Sequence, residues 1–475
     1  MGSKMRISSG DFDARRDLAT HPRCASAATT VSPGRVMISL VMARFHFIRA
    51  LQRLLRSAGT TTLRMPVLRT DFYLSADSRL CREVIADRAA EYGKTGWEHR
   101  VLRPAMEGGL ILLEGRAWKT RRHASASCFG AAQMERLAAI LSEAAAARFE
   151  RWPTFAGEVP LGHEVRCIVN ESMMRFFLDD YRLSKSYPGG ADGFSREFAR
   201  VERGLERRVF HLLSLSEALR SLLLPGAGLG RAISRVTREI ERRVRSPGAE
   251  RSETSVLRML LERTGSSRSV IHEIRTMVAA GATSVHLLTW IAYLLAANPE
   301  RQRRLRDEMA AHGLGQPGGP IALARVEALP YLDAVIQEGL RLYPPAPYLI
   351  RRGPRRRRGE RGSVMLFSLW AMHRDPARWE RPDEFWPERW EQPQSIPAGS
   401  FVPFGLGPRV CIGKHFAMTE ARVVLIELLR RFELSLPDRA RRPEPVFTVL
   451  TRPRTEVRLR VAAVPRDGPA RSSVG

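Results

Sequence analysis

The chain has few cysteines and no paired arrangement of them. Five cysteines are scattered over 475 residues, an odd number without any C-x-x-C spacing. This pattern argues against a disulfide framework and a structural zinc site, and it favours a reducing, cytoplasmic location. The sequence also has no run of 18 or more apolar residues and no signal-peptide pattern at its start, so neither a membrane span nor secretion is predicted.

Lysine is scarce although the protein is strongly basic. Only five of the 77 basic residues are lysines, and the formal net charge is +27. The excess of arginine is typical of a GC-rich genome, and the arginine runs 301–306 and 351–358 lack the interleaved aromatic residues of a nucleic-acid stacking surface. We therefore expect a solvated basic surface that attracts acidic partners, with nucleic-acid binding as a lesser alternative. The basic, amphipathic segment 36–55 predicts a first packed helix or, alternatively, contact with a membrane surface.

No linker divides the chain. Apolar-periodic segments follow one another with short Pro/Gly interruptions, which predicts a single large, mainly helical domain over residues 36–465. Residues 1–35 are predicted to be a polar, disordered extension, and residues 466–475 a C-terminal tail.

The most informative segment covers residues 401–413, F-V-P-F-G-L-G-P-R-V-C-I-G. Cys411 lies in a glycine-rich loop, and the apolar periodicity that follows predicts a helix beginning just after it. A helix N-terminus lowers the pKa of a thiol, and glycine lets the backbone approach a flat, bulky group. A thiolate in such a loop can ligate haem iron. For a lone cysteine the alternative is a buried structural role.

The spacing of residues around Cys411 matches F-x-x-G-x-R-x-C-x-G, and by this signature the chain resembles the cytochromes P450, of the soluble bacterial type. The resemblance implies a mainly α-helical, triangular domain with small β-sheets on one side. It also implies a haem b cofactor whose iron is ligated by Cys411, and O₂ activation with electrons from a separate NAD(P)H-linked redox chain. Four more residues of the loop would lie against the haem: Phe404, Gly405, Arg409 and Gly413.

Two charged motifs agree with the resemblance. They are E-G-L-R at residues 338–341 and P-E-R-W at residues 387–390. By analogy with the family, Glu338, Arg341 and Arg389 would form a buried ion cluster that locks the cysteine loop. Its role would be structural, since buried charges need partners and full hydrogen bonding.

A further motif, G-R-A-W-K-T-R-R-H, contains Trp118 and Arg122. These residues are four apart and so share one helix face, where an indole N–H and a guanidinium suit a haem propionate. The resemblance adds Arg351 and Arg409 as propionate partners.

The segment A-A-G-A-T-S-V-H, residues 279–286, resembles the oxygen-activating helix of the family. The resemblance makes Thr283 and Ser284 the candidate catalytic residues. Position 282, normally acidic in this family, is alanine, so half of the usual proton-delivery pair is missing. His286 is a conceivable substitute, but a histidine that packs against another helix is the favoured interpretation.

Substrate is expected to bind above the haem. The resemblance assigns four segments to the pocket, with these candidate residues: Ala279, Ala280, Ala346, Leu349 and Val449. Plain core packing is the alternative for each of them.

The leading functional hypothesis is a monooxygenase that hydroxylates or epoxidises an apolar small molecule, in specialised metabolism. The alternative is a P450 that catalyses oxidative coupling, desaturation or rearrangement without inserting oxygen, which Ala282 keeps open. Electrons would come from an acidic ferredoxin or flavodoxin and its reductase, docked at basic residues such as Lys119, Arg121 and Lys414. A monomer without a transmembrane anchor or a nucleic-acid partner is expected.

Overall fold

The structure is a computed structural model in which the described residues are 28–30, 47–67, 70–152, 157–179, 181–214, 227–246, 254–318, 321–354, 362–392, 394, 396–437 and 442–464. Most of the predicted extension and all of the predicted tail lie outside this part of the chain. Within the extension, Thr29 and Thr30 pair in parallel with Leu63 and Arg64. These two residues of the extension thus lie at the edge of a sheet.

Helices make up most of the described chain. They are α1 (Phe47–Ser57), α2 (Ser78–Arg82), α3 (Gly96–Met106), α4 (Gly115–Ala126), α5 (Ala131–Phe149), α6 (Leu161–Phe177), α7 (Leu183–Ser186), α8 (Gly190–Ser214), α9 (Ala227–Arg245), α10 (Val256–Thr264), α11 (Ser267–Ala280), α12 (Ala282–Ala296), α13 (Pro299–Ala311), α14 (Leu323–Glu327), α15 (Pro330–Leu342), α16 (Leu369–Met372) and α17 (Lys414–Leu429). A π-helical turn, Glu83–Asp87, follows α2 directly.

The strands form three small sheets. They are β1 (Thr29–Thr30), β2 (Thr62–Val67), β3 (Thr70–Ser75), β4 (Val159–Pro160), β5 (Tyr348–Arg352), β6 (Gly362–Ser368), β7 (Phe432–Ser435), β8 (Pro445–Phe447), β9 (Thr451–Pro453) and β10 (Arg458–Ala463). The largest sheet has the order β1-β2-β3-β6-β5, the second β4-β10-β7, and the third is the pair β8-β9. A mainly helical domain with small sheets is the predicted architecture, and it is confirmed.

Helices α11 and α12 run through the centre of the core, separated only by Gly281. Every residue of α12 except Thr283 is buried, as expected for a helix that is apolar on all sides. A Cβ at Gly281 would lie 2.8 Å from the Met173 sulfur, so glycine permits the close approach of α6. The combined helix Ser267–Ala296 is long and apolar enough to cross a membrane, but 83% of its most apolar window is buried inside the protein. It is therefore best understood as a core helix.

Two carboxylates, one half-buried and one buried, connect α8 to other elements. Glu202 is paired with His286 of α12, and Glu206 accepts hydrogen bonds from Arg452 at 2.6 and 2.8 Å and from Thr448 at 3.0 Å. His286 thus faces another helix, as the sequence favoured. These contacts fasten α8 both to the central helix and to the turn between β8 and β9.

Candidate active site

The loop that carries Cys411 depends on glycine at two positions. Gly405 and Gly407 have φ values of +75° and +63°, a region that other residues rarely adopt. A Cβ at Gly407 would also lie 2.6 Å from Cα of Ala86, so the loop packs closely against the π-helical turn. Within the loop, the Cys411 amide donates to the Phe404 carbonyl at 2.9 Å. These constraints hold Cys411 just before the first residue of α17.

The Cys411 thiol is accessible yet enclosed by protein. Its side chain is exposed, whereas Cys81, Cys128 and Cys167 are buried. Burial nevertheless raises the pKa of Cys411, and the backbone N–H of Gly413 and the charge of Arg122 oppose this rise. A sulfur that faces open space and receives an amide N–H suits a ligand of a bound metal group.

Four residues that the sequence assigned to the propionates come together near this loop. The Arg409 guanidinium lies 3.9 Å from the centroid of the Trp118 ring, and that of Arg122 lies 5.8 Å from it. Burial, with the neighbouring charges of Arg351 and Arg122, lowers the pKa of Arg409 to about 10, although Glu114 opposes this. Burial also lowers the pKa of Arg351. Clustered guanidiniums with depressed pKa values need anions, and the two propionate groups of a haem fit this donor set.

The predicted ion cluster is assembled and fully buried at its centre. Arg341 donates to both carboxylate oxygens of Glu338, at 2.7 and 2.8 Å, and Arg389 donates to Glu338 at 3.2 Å. Two further donors reach the same carboxylate, the Trp386 amide and the Trp390 indole, each at 3.0 Å. The cluster joins α15 to the 3₁₀ turn Pro387–Glu391.

The residues that resemble the oxygen-activating helix of the family lie where α11 meets α12. Ala279 and Thr283 are half-buried and Ala280 is exposed, although most neighbouring positions are buried. The Thr283 hydroxyl donates to the Ala280 carbonyl at 2.8 Å. Ala282 is buried and supplies no carboxylate. Where the two helices meet, one hydroxyl and two small side chains, those of Ala279 and Ala280, are therefore not buried.

The sequence profile described as Cytochrome P450 matches residues 37–460. This chain belongs to the cytochrome P450 family. It is similar to taurochenodeoxycholic 6 alpha-hydroxylase of Sus scrofa, with 27% identity over 77% of this chain and 78% of that protein. Cytochrome P450 4A11 of Homo sapiens is 26% identical over 78% and 76% of the two chains. Cytochrome P450 734A4 of Oryza sativa subsp. japonica is 29% identical over 76% and 74%. A P450 uses haem b, O₂ and electrons from an NAD(P)H-linked partner, so the predicted enzyme class and cofactors are confirmed.

This P450 has a buried carboxyl group that the sequence prediction missed. Glu420 of α17 is fully buried, and neither of its carboxyl oxygens has a hydrogen-bond partner among the described residues. Burial raises the pKa of Glu420 to about 8, and the nearby Ser284 hydroxyl opposes the rise. Ser284, also buried, follows Thr283 directly in α12. The Glu420 carboxyl group is thus near Ser284, two residues after position 282, where this chain has alanine in place of the family's usual acid.

The other predicted pocket residues of the P450 belong to two neighbouring segments. Ala346 precedes β5, Leu349 lies in β5, and Val449 lies in the turn between β8 and β9; all three are half-buried. The Tyr348 hydroxyl donates to the Thr448 carbonyl at 3.0 Å and so joins the two segments. Ala346, Leu349 and Val449 therefore lie in two segments that contact each other. The remaining predicted pocket residues, Ala279 and Ala280, lie at the end of α11.

The predicted docking residues of the P450 differ in their surroundings. Lys119 and Lys414 are exposed. Arg121 instead donates to the buried Glu273 at 3.1 Å and to the Ser269 hydroxyl at 2.8 Å. Its charge is paired inside the protein, so Arg121 presents less free charge to a partner than Lys119 and Lys414 do.

A second group of possible metal ligands lies away from Cys411. Side-chain atoms of His163, Cys167 and Asp192 lie within 4.8 Å of one another. Both Asp192 oxygens accept hydrogen bonds from Arg148, at 2.7 and 2.8 Å. A guanidinium so close repels a cation and already satisfies the carboxylate, so we interpret this group as an ion-pair network.

Proposed function

We propose that this P450 is a monooxygenase that hydroxylates or epoxidises an apolar small molecule, in specialised metabolism. The observation that carries the proposal is the position of Thr283. It is the residue of α12 that is half-buried while the others are buried, in a stretch of small, apolar side chains. A hydroxyl set in apolar surroundings suits the handling of oxygen and protons beside an apolar substrate.

Different residues of this chain would bind different parts of the haem. Cys411 would ligate the iron, and Trp118, Arg122, Arg351 and Arg409 would bind the propionates. Phe404, Gly405 and Gly413 would complete the loop against the haem. When bound, the haem supplies the activation of O₂, and thiolate ligation favours O–O cleavage.

Proton delivery is assigned to Thr283, Ser284 and Glu420. Thr283 would hold a proton at the oxygen-binding side of the helix, and the two buried groups behind it would replace the missing acid at position 282. A carboxyl group with a pKa of about 8 can both donate and accept a proton near neutral pH. Thr283 is half-buried and the next residue, Ser284, is buried, so the proposed route would pass from one hydroxyl to the other across α12.

Electrons are proposed to come from an acidic ferredoxin or flavodoxin, which would meet exposed Lys119 and Lys414. Complementary charge mainly raises the rate of association, and it does so more at low salt. A monomer working in the cytoplasm completes the proposal. The four described cysteines are all free, which suits a reducing compartment.

Ala282 favours a second candidate, a P450 that couples, desaturates or rearranges its substrate without oxygen insertion. We expect oxygen insertion instead, since Glu420 can compensate for Ala282. Once a compound that shifts the haem spin state has been found by titration, turnover under ¹⁸O₂ should yield product that carries one labelled atom. Unlabelled coupled or desaturated product would instead establish the second candidate.

The same assay should report on Thr283. Thr283→Ala is expected to release more peroxide per electron consumed and to form less labelled product, since the hydroxyl at the open face of α12 is lost. Thr289→Val is the matched control, because the Thr289 hydroxyl is buried and donates to the Val285 carbonyl of its own helix at 2.7 Å. Equal peroxide release by the two variants would remove Thr283 from the proposed route.

Glu420→Gln should change how stability depends on pH. The folded state raises the pKa of Glu420 from 4.5 to about 8, so the folded protein keeps a proton that the unfolded chain releases. The free energy of unfolding therefore falls as pH rises between these values. We expect Glu420→Gln to match the wild type near pH 4.5 and to be the more stable protein at pH 8, as measured by thermal unfolding of the haem-loaded enzyme.

The control lies on the same helix. Glu427 is also buried, but it is paired with Arg430 at 2.6 Å. Glu427→Gln should therefore lose stability at both pH values, since it leaves a buried cation without its partner. A Glu420→Gln variant with the same pH slope as the wild type would show that Glu420 is not held protonated by burial.

A further inference from the structure

A large basic cleft lies outside the haem site. It has a volume of about 1370 Å³ and is bordered by α1, one residue of α12, the end of α15, α16, the residues after β7, those just before β8, and the segment from β9 to β10. Seven arginines and four acidic residues contribute to its walls. None of the residues assigned to the haem or to the substrate is among the described residues that line it, so the cleft is independent of the proposed reaction.

One wall of the cleft is the polar face of α1. Arg49, Arg53 and Arg56 are four and three residues apart and therefore share one side of the helix. The opposite side packs into the core through Leu51 and Leu55. The sequence pattern predicted this packed basic helix, and the structure shows that its charges face the cleft.

Arg374 forms the buried part of the wall. Its guanidinium lies 3.3 Å from the centroid of the Trp370 ring and pairs with Asp383 at 3.3 Å, while Nη2 donates to the Leu342 carbonyl. The third nitrogen, Nη1, is buried without a hydrogen-bond partner among the described residues. Burial and the charge of Arg341 lower the pKa of Arg374 to about 9. This arginine therefore has an unused donor and too little negative charge around it.

The charged residues around Arg374 leave its Nη1 without a hydrogen-bond acceptor among the described residues, and they include further arginines. Burial and the charge of Arg442 lower the pKa of Arg49, which Glu444 opposes, and the charge of Arg49 contributes to the lowered pKa of Arg374. Of the acidic residues, Glu444 is paired with Arg454 at 3.0 Å, and the Asp383 side chain is 66% exposed. Arg49 and Arg374 lie 5.9 and 3.3 Å from the centroid of the Trp370 ring, and Arg442 lines the same cleft, in which arginines outnumber acidic residues.

We propose that this cleft binds a phosphate-bearing molecule, with the phosphate between Arg49, Arg374 and Arg442. Guanidinium groups bind phosphate oxygens through paired, charge-assisted hydrogen bonds. The cleft is larger than the roughly 300–1,000 Å³ of ordinary small-molecule pockets, so it has room for the rest of the ligand. Two sources share this chemistry, a soluble phosphate ester and the headgroup of an anionic lipid.

The first measurement uses inorganic pyrophosphate as the probe. Isothermal titration of the haem-loaded full chain is done at about 0.15 M salt, where a Debye length of roughly 8 Å weakens attraction to the overall charge. The double variant Arg49→Gln/Arg442→Gln should bind at least about tenfold more weakly, because each charge-assisted hydrogen bond contributes that much or more. Arg79→Gln/Arg303→Gln removes the same charge from exposed positions outside the cleft, and it should bind like the wild type.

The second measurement distinguishes the sources. Sedimentation with vesicles of phosphatidylcholine, with and without phosphatidylglycerol, should show binding that requires both phosphatidylglycerol and the cleft arginines if a lipid headgroup is the ligand. Pyrophosphate binding without vesicle binding identifies a soluble phosphate ester. Equal binding by the two double variants, or no binding of either probe, overturns the proposal. Arg374→Met tests whether the buried arginine contacts the phosphate. A folded, haem-loaded Arg374→Met variant that binds pyrophosphate like the wild type would also overturn the proposal.

Discussion

Replacing Cys411 by serine or histidine is expected to abolish the red-shifted carbon monoxide absorption of the reduced, haem-loaded protein. The absorption depends on a thiolate ligand, and Cys411 is the exposed cysteine among those described, held at the start of α17. A serine hydroxyl or an imidazole can occupy the same place, but neither donates electron density to the iron as a sulfur anion does. The effect should therefore be complete loss of the signal.

The other cysteines provide matched controls. Burial raises the pKa of Cys128 to about 12 and that of Cys167 to about 11, so both thiols stay protonated. Cys128→Ser and Cys167→Ser should keep the red-shifted absorption in whatever fraction of the protein binds haem. Persistence of that absorption in Cys411→Ser would mean that another residue ligates the iron.

Glu338→Ala and Arg341→Ala should yield little folded, haem-loaded protein. Both side chains are fully buried, and removing one strands its partner without a counter-charge. Such a loss costs about 3–5 kcal/mol, which is a large share of the roughly 5–15 kcal/mol that stabilises a typical folded protein. Denaturant unfolding and the ratio of haem to protein measure the two consequences.

An exposed ion pair nearby supplies the comparison. Glu391 pairs with Arg304, and the two side chains are 42% and 47% exposed. Glu391→Ala should change the free energy of unfolding by about 1 kcal/mol or less. Normal haem content and an unchanged unfolding midpoint in Glu338→Ala would show that the buried cluster does not hold the fold.

Short-range patterns in the sequence were sufficient for much of the site. The offsets around Cys411, and the three-residue spacing of Glu338 and Arg341, predict side chains that a loop or a helix turn brings together by local geometry alone. The mainly helical class follows in the same way from periodicity.

Contacts between distant segments were not predictable in this way. Arg121 was expected to be a free surface charge, but Glu273, more than a hundred residues away in sequence, holds it from α11. The same holds for Glu420, because its proposed role in proton delivery depends on its proximity to Ser284 of another helix. Glu420 is one of two carboxylates among the apolar positions of α17, the other being Glu427, and the helix pattern alone does not reveal which element either of them faces.

The contacts of α8 also affect how substrate reaches the pocket. Glu202 and Glu206 attach this helix to α12 and to the turn that holds Val449 through buried charges. Separating such charges from their partners is costly, so we expect α8 and that turn to move as one body. A substrate would then enter through a part of the pocket rim that these ion pairs do not hold. We would then expect the exchange rate of bound substrate to reflect motion of that other part of the rim.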